Sequence, residues 1–419
     1  MRPELRLTTP APEPDWICCQ LGAREHYAIP SYLHGQGRLR ALLTDAWVKP
    51  GGPLSVVSRR LNRRLDERYA GCLASAQVRH FTGSLVSFEG RLRLRKQHPA
   101  WQTIMARNEW FQDCVVAQFS RSKMLRAAQT GPPTVFAYSY AARRIFQAAR
   151  AAGCRTVLGQ IDPGPFEEEI IGRAMATRGA FQPVWHPAPR VYWDLWREEI
   201  ELADQVLVNS AWSRDALIAR GLPAAKLHIL PLCYRGNQID SGAVRRYPVS
   251  FSHDRPLRVL FLGSLIVRKG ICEALEAAQL LINAPVEFRF VGMPGVALPD
   301  SFMTRPGIQW IGPVTRGDAA KHYREADIFL LPTLSDGFGL TQIEAQSHGL
   351  PIIASTRCGA VVEHGQNGLL LMHVTGVAIA EAISWCLSNP AELGDMSQRA
   401  IERSTRFRPS AVLDQLVTL

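Results

Sequence analysis

The sequence predicts an α/β protein built as two parallel-sheet domains, and three observations carry that prediction. Short apolar runs of strand length alternate with helix-period segments along most of the chain, the pattern of strand-helix-strand units whose strands run parallel. At 419 residues the chain is long for one core and comfortable for two domains of about 150 to 250 residues each. A polar, breaker-containing stretch at 235–256 separates a first series of units from a fresh strand at Leu257. The expected domains are therefore residues 1–235 and 257–390, joined by a linker at 236–256 and followed by a helical tail at 391–419.

The first domain opens with an apolar strand at 15–21 and a turn through Gly22 to Tyr27. Residues 26–34 then suggest a helix closed by Gly35-Gln36-Gly37, glycines that serve as a C-cap, before a second strand at 40–44. From 101 to 124 the pattern is helical, and Trp110, Phe111, Val115 and Phe119 recur at helix spacing as a core stripe. A strand at 134–138, a basic amphipathic helix at 141–152 and a strand at 156–161 continue the alternation. Asp162-Pro163-Gly164-Pro165 forms a turn at that strand's carboxyl end, where Asp162 either stabilises the turn or points towards a ligand. Glu167, Glu168 and Glu169 open the next helix, where carboxylates suit the dipole. Another helix closes over 198–204, a strand follows at 205–209, a helix at 210–220 is capped by Gly221, and 227–231 is the last strand.

The second domain restarts with a strand at 257–262, a glycine-bounded turn at 263–270 and a helix through Leu281. Strands follow at 287–291 and 309–314, and the chain ends in a helix from about Ser410. The most informative stretch is 327–355. Ile328 to Leu331 is an apolar run suited to a strand buried on both faces, and Pro332 stops it. Ser335-Asp336-Gly337-Phe338-Gly339 is a loop whose glycines allow close approach to a ligand. A short helix at 340–348 ends at Gly349, and 351–355 is the next strand. The loop thus lies at the carboxyl edge of a parallel sheet, where ligands bind. Amides of Gly339, Leu340 and Thr341 at the helix start make a site for phosphate or diphosphate. Asp336 and Glu344 on either side suit hydroxyl groups, and two carboxylates flanking a phosphate cradle point to a nucleotide sugar, which carries polyhydroxy rings on both sides of its diphosphate.

Composition narrows the classes. The apolar share of 47% is ordinary for a globular protein, and no run approaches the roughly 18 apolar residues that span a bilayer. Residues 1–10 lack an apolar signal-like segment, so a cytoplasmic location is expected. Nine cysteines show neither a disulfide framework nor zinc spacing, and the adjacent Cys18 and Cys19 read as small buried hydrophobes. The 11 histidines are scattered, and no metal site is expected. Residues 51–150 carry 17 Lys and Arg against 5 Asp and Glu, whereas the other 319 residues carry 31 against 32. The excess clusters at Arg59, Arg60, Arg63 and Arg64, at Arg91, Arg93, Arg95 and Lys96, and at Arg121, Lys123 and Arg126. It reads as a solvated face, as a surface for an anionic membrane or acceptor, or, with least weight, as one for nucleic acid.

The run Asp336-Gly337-Phe338-Gly339-Leu340-Thr341-Gln342-Ile343-Glu344-Ala345 resembles the E-G-F-G-L-x-x-x-E-A motif of retaining glycosyltransferases with the GT-B fold, family 4 in particular, with Asp336 where that family most often has Glu. Residues 263–270, Gly263-Ser264-Leu265-Ile266-Val267-Arg268-Lys269-Gly270, resemble the family's G-x-x-x-x-x-K-G loop. The segment 309–314, ending in Val314, resembles the one whose backbone meets the nucleobase, and Gly359, Glu363 and Gly368 fit the trailing pattern. Residues 206–232 are similar to the segment that ends the family's first domain. The resemblance covers about 206–370 well, and the first 200 residues only in architecture.

The resemblance implies a GT-B fold, two Rossmann-like domains facing across a cleft, with the tail returning to the first. It implies transfer of a sugar from a nucleotide diphosphate sugar with retention of configuration. Arg268, Lys269 and Asp336 are then the catalytic candidates, and Gly22, Gly263, Arg268, Lys269, Val314, Asp336, Gly337, Phe338, Gly339, Leu340, Thr341 and Glu344 the donor-binding ones. Glu25, His26 and Asp162 are candidate acceptor contacts, with the acceptor unidentified. The nucleotide sugar is a co-substrate, and neither a cofactor nor a metal is expected, because two cations can neutralise the leaving diphosphate. Two other readings stay open: a nucleotide-sugar epimerase of the same architecture, and a non-catalytic basic module that binds membrane or nucleic acid.

Overall fold

The computed structural model describes residues 15–52, 68–94, 100–127, 131–178, 185–234, 245–297 and 300–417. It is α/β, with two parallel sheets of Rossmann-like type. The strands of the first sheet are β1 (Trp16–Gln20), β2 (Leu39–Thr44), β3 (Val78–His80), β4 (Thr134–Tyr138), β5 (Arg155–Gln160), β6 (Gln205–Val208) and β7 (Leu227–Ile229). They lie in the order β3-β2-β1-β4-β5-β6-β7. The second sheet contains β8 (Leu257–Leu262), β9 (Val286–Val291), β10 (Ile308–Gly312), β11 (Ile328–Leu331), β12 (Ile352–Ser355) and β13 (Gly368–Leu371), in the order β10-β9-β8-β11-β12-β13. Every neighbouring pair of this second sheet is parallel.

The helices are α1 (Ala28–Gly35), α2 (Thr82–Leu94), α3 (Ala100–Arg121), α4 (Arg143–Ala151), α5 (Pro165–Thr177), α6 (Arg190–Leu202), α7 (Ala211–Ile218), α8 (Ile271–Leu280), α9 (Asp300–Met303), α10 (Arg316–Glu325), α11 (Leu340–Ser347), α12 (Gly376–Ser388), α13 (Pro390–Ser404) and α14 (Pro409–Leu413). The chain divides into two compact units. Unit 1 comprises residues 1–160 and 189–207, and unit 2 comprises 161–188 and 208–419. Among the described residues no helix is long and apolar enough to cross a membrane.

Strand composition explains the layering. β1, β4 and β5 are buried almost throughout, and Ile17, Cys18, Val135, Phe136, Val157 and Leu158 are fully enclosed, as expected of parallel strands covered on both faces. In unit 2, Val259, Leu260, Ile328, Phe329, Ile352 and Ile353 play the same part. Each sheet reverses its strand order at one place, between β1 and β4 in the first and between β8 and β11 in the second. At such a switch point the loops that follow the two strands diverge to opposite faces and leave a crevice.

The structure departs from the sequence expectations in several places. The helix expected at 26–34 begins only at Ala28, because Glu25, His26 and Tyr27 all hold positive φ, at 49°, 54° and 58°. The helix expected from about Ser410 is the five-residue α14, and the long helix near the C-terminus is α13, with Pro390 in its first turn. In the aromatic stripe of α3, Phe111, Val115 and Phe119 are buried, but Trp110 is half-buried and stacks on Phe88, with ring centroids 5.2 Å apart, in the wall of an open groove. Arg59, Arg60, Arg63, Arg64, Arg95, Lys96 and residues 236–244 of the expected linker lie outside the described residues.

Candidate functional site

The second switch point brings together two loops that are far apart in sequence. β8 leads through Gly263 into the tight turn at Val267–Lys269, and β11 leads into the loop 332–339. Gly270 closes the first turn at φ 78°, and a Cβ there would lie 1.9 Å from the Pro332 carbonyl oxygen. Only glycine lets the two loops approach this closely. The Arg268 carbonyl then accepts from Leu334 N at 2.8 Å and from the Thr333 hydroxyl at 2.9 Å.

The charged side chains converge on Asp336. Lys269 Nζ donates to Asp336 Oδ2, and Arg268 Nη1 stands 3.4 Å from Oδ1. Arg268 also donates to the Ser335 carbonyl at 3.2 Å and faces Glu167 of α5, Nε to Oε1, at 3.7 Å. Burial drives the Asp336 carboxyl upward, but Lys269 and Arg268 outweigh it and hold the group below the usual carboxylate range. Burial acts on Arg268 in the opposite sense, and Asp336, Glu167 and Asp162 more than compensate, so both members of the pair are charged.

The backbone of the loop is clamped from behind. A Cβ on Gly337 would lie 1.9 Å from the Ile161 carbonyl oxygen, so the residue after Asp336 has no alternative. Trp212 Nε1 of α7 donates to the Ser335 hydroxyl at 3.0 Å, and Asp336 N donates to the Arg357 carbonyl at 3.0 Å. The Phe338 ring is buried, with the Phe407 ring centroid 6.0 Å away, and its carbonyl accepts from Gln342 Nε2 at 2.5 Å.

α11 starts at this point. Its N-cap is Gly339 at φ 81°, with no side-chain cap, and the Asp336 Oδ2 atom lies 3.6 Å from where a Gly339 Cβ would be. The helix start, with Leu340 and Thr341 half-buried in its first turn, is therefore beside the carboxylate that holds both cations. First-turn amides lack intrahelical acceptors and favour an anion. One turn further on, Glu344 Oε2 accepts from the Tyr323 hydroxyl of α10 at 2.8 Å. Burial and the Glu344 carboxylate push that hydroxyl well above its ordinary pKa, so it remains a donor. The Tyr323 ring in turn stacks on His348, centroids 5.3 Å apart.

Unit 2 thus gathers Arg268, Lys269, Asp336, Gly337, Phe338, Gly339, Leu340 and Thr341 in one place, with Glu344 a turn along α11. Asp162 stands in the turn before α5, where Oδ1 accepts from Gly164 N at 2.9 Å, and its charge acts on Arg268 and Glu167. Gly263 at φ 143° ends β8, and its carbonyl oxygen occupies the space a Gly292 Cβ would need, at 1.7 Å. Val314 follows β10, half-buried against the core that contains Leu260 and Phe329.

Gly22, Glu25 and His26 belong to unit 1. Gly22 N is already engaged, donating to Asp45 Oδ1 at 3.0 Å, and Asp45 pairs with Arg68 at 3.1 Å. Glu25 lies under the Tyr138 hydroxyl at the end of β4. Burial pushes its pKa up to about 7 against the opposing pull of Tyr138 and Arg24. His26 is in the same left-handed turn.

Sequence reading overlooked Glu167, Tyr323 and the Trp212–Ser335 clamp. Glu167 was accounted for by the helix dipole, and nothing in sequence spacing ties it to Arg268 about a hundred positions later; only the packing of α5 on the 267–269 turn does so. Among the described residues no group of three or more His, Cys, Asp or Glu is arranged to hold a metal ion.

Residues 256–389 match the family described as Glycosyl transferases group 1. The chain is 27% identical over 255 residues to a D-inositol 3-phosphate glycosyltransferase of Kineococcus radiotolerans, covering 53% of this chain and 57% of that protein. It is 35% identical over 171 residues to D-inositol 3-phosphate glycosyltransferase 2 of Catenulispora acidiphila, covering 36% and 40%. The matched part therefore spans about half the length of these relatives or less. Among solved structures, sucrose-phosphate synthase (tll1590) from Thermosynechococcus elongatus superposes with a TM-score of 0.65 at 18% identity, covering 96% of this chain and 98% of that one. Anabaena Alr3699/HepE, in complex with UDP-glucose, does so with a TM-score of 0.59 at 16% identity, covering 97% and 100%. At such identities the likeness carries the fold: the chain has GT-B architecture, and the match to glycosyl transferases group 1 extends over residues 256–389.

Proposed function

We propose that the chain is a retaining, family 4 type glycosyltransferase that moves a hexosyl group from a nucleotide diphosphate sugar to an acceptor glycan, lipid or small molecule. The observation that carries this reading is the meeting of Arg268, Lys269 and Asp336 beside the uncapped start of α11. A diphosphate seated on the amides of Gly339, Leu340 and Thr341 has two cations at hand as the glycosidic bond breaks, so the reading needs no divalent metal. Asp336 uses one side of each carboxylate oxygen on a cation and keeps lone pairs for a hydroxyl of the transferred sugar. Glu344, steadied by Tyr323, takes the ribose hydroxyls. Gly263 and Val314 border the nucleotide, and the leaving phosphate itself helps take the acceptor proton.

Of UDP and UDP-glucose, the ligands named for the HepE structures, UDP-glucose is the first donor to test and UDP the matching leaving group. Acceptor contacts are proposed at Asp162 in unit 2 and, from the resemblance alone, at Glu25 and His26 in unit 1, where Gly22 N is committed to Asp45. Among the described residues none of the nine cysteines forms a disulfide, which fits the proposed cytoplasmic location, and the basic region 51–150 is proposed to meet an anionic membrane or acceptor.

The test is a panel of nucleotide diphosphate sugars screened by thermal shift, followed by analysis of the products. Stabilisation by a nucleotide sugar, a glycoside with the donor's anomeric configuration, and loss of both donor binding and transfer in a folded Glu344→Ala variant are expected. Epimerised donor without glycoside would replace this reading by an epimerase. Absence of any donor response, together with salt-sensitive lipid or RNA binding, would replace it by a basic binding module.

A further inference from the structure

The cluster behind the anion site has more carboxylates than cations. Arg268 and Lys269 face Asp336, Arg268 also faces Glu167, and Asp162 adds a third carboxylate. Asp336 accounts for Lys269 and for one edge of Arg268. Glu167 is left with a poor bargain: its Oε1 stands 3.7 Å from Arg268 Nε, beyond hydrogen-bond reach, and its Oε2 is buried with no hydrogen-bond partner. The Ser335 hydroxyl is a neutral donor beside it, and Ser335 is itself fixed by Trp212 Nε1. A buried carboxylate with an unsatisfied oxygen is the costliest charge in the cluster.

The neighbours leave little to offset that cost. On α5 itself, Glu168 accepts from Ala188 N and Glu169 pairs with Arg220, so neither relieves Glu167. The 267–269 turn supplies Arg268, the 332–339 loop supplies Asp336 with Lys269 on its far side, and the turn before α5 supplies Asp162. A diphosphate arriving at α11 would bring further negative charge to the same two cations.

We propose that Glu167 is the proton-linked positioning residue of the anion site: ionised, it steadies Arg268 while the site is free, and it takes a proton from solvent when a diphosphate engages Arg268 and Lys269. This rests on the reading that unit 2 binds a nucleotide diphosphate. Burial, opposed by Arg268 and reinforced by Asp162 and Asp336, already pushes Glu167 up to about 7 in the free site, so a modest added negative charge suffices to protonate it near neutrality. Arg268 is then released from Glu167 and its guanidinium is available to the ligand.

The experiment is isothermal titration calorimetry of the full chain with inorganic pyrophosphate and with uridine diphosphate, between pH 6 and 8, in pairs of buffers with different ionisation enthalpies. Wild type, Glu167→Gln and Glu167→Asp are compared, so that protons gained by the probe itself cancel. Wild type is expected to take up more protons on binding than Glu167→Gln, by a fraction that rises with pH and approaches one at pH 8, and to lose affinity more steeply as the pH rises. At pH 8 the glutamine variant, permanently neutral, is expected to bind about tenfold tighter than wild type, the cost of loading a proton one unit above the group's free pKa. Glu167→Asp should keep the proton linkage. Equal proton counts and parallel pH profiles in wild type and Glu167→Gln would overturn the role while leaving the anion site standing. If neither probe binds to any of the three proteins, the anion site itself fails, and this inference with it.

Discussion

The two switch points of this molecule use the same geometry and leave it in opposite states. In unit 1 the loops after β1 and β4 meet, as Glu25 under the Tyr138 hydroxyl shows, and the α4 start is closed by the protein itself. Glu199 of α6 accepts from Tyr140 N at 2.5 Å, from Ala142 N, and from Arg143 N at 3.0 Å. Its carboxylate thus takes the position an external anion would occupy at a helix N-terminus. In unit 2 the loops after β8 and β11 meet in the same way, but the α11 start has no side-chain cap, and the Asp336 carboxylate beside it is engaged by two cations. A helix start that carries its own carboxylate is a structural joint; one flanked by cations and left uncapped is suited to a ligand.

The sharpest way to break that contrast is to give α11 the carboxylate that α4 already has. Thr341→Asp places an anion in the first turn, where it suits the helix dipole, so the fold should be retained. A bound phosphate about 4 Å from the new charge would meet a repulsion of about 4 kcal/mol at an effective dielectric constant near 20. Binding of pyrophosphate or a nucleotide diphosphate, followed by calorimetry, should weaken at least about a hundredfold. A Thr341→Asp variant that binds these anions as wild type does would show that α11 is not where they dock.

The converse change opens the closed joint. Glu199→Ala leaves three backbone N–H groups, now paired with one buried carboxylate, without that acceptor. Each such loss costs about 1 to 3 kcal/mol, and a total fall of about 3 kcal/mol in unfolding free energy is expected from urea titration. Because Glu199 lies in unit 1 and the anion site in unit 2, the affinity of the folded variant for pyrophosphate should not change. A loss of affinity without a loss of stability would reverse the roles assigned to the two helix starts.

The contrast also explains what the sequence discloses and what it withholds. The unit from β11 to β12 is legible because every signal is local: an apolar run, a proline stop, glycines at fixed offsets, and a helix closed by Gly349. The strand 328–331 and the helix start at Leu340 fall where those signals place them. Arg268 and Lys269 are legible as a motif, yet their junction with Asp336 depends on β8 and β11 being neighbours, a fact of sheet order that periodicity does not encode. Glu25, His26 and Tyr27 adopt positive φ although none is a glycine, and the turn ends on the buried Tyr27, so packing rather than local propensity holds it. The helix α2 is missed for the same reason that α14 is overstated: short or polar helices near breakers are decided by packing.

The finest distinction is between holding the phosphate and holding the ribose. Tyr323 of α10 donates to Glu344 of the proposed donor site at 2.8 Å. Tyr323→Phe keeps the ring that stacks on His348 and removes only the hydroxyl. A hydrogen bond to a partly exposed carboxylate contributes about 1 kcal/mol, so affinity for a nucleoside diphosphate should fall about fivefold while affinity for pyrophosphate, which has no ribose, stays at the wild-type value. If both probes weaken together, Tyr323 supports the α11 start as a whole, and the division of labour between the helix start and Glu344 does not hold; if neither weakens, Glu344 needs no help in orienting its carboxylate.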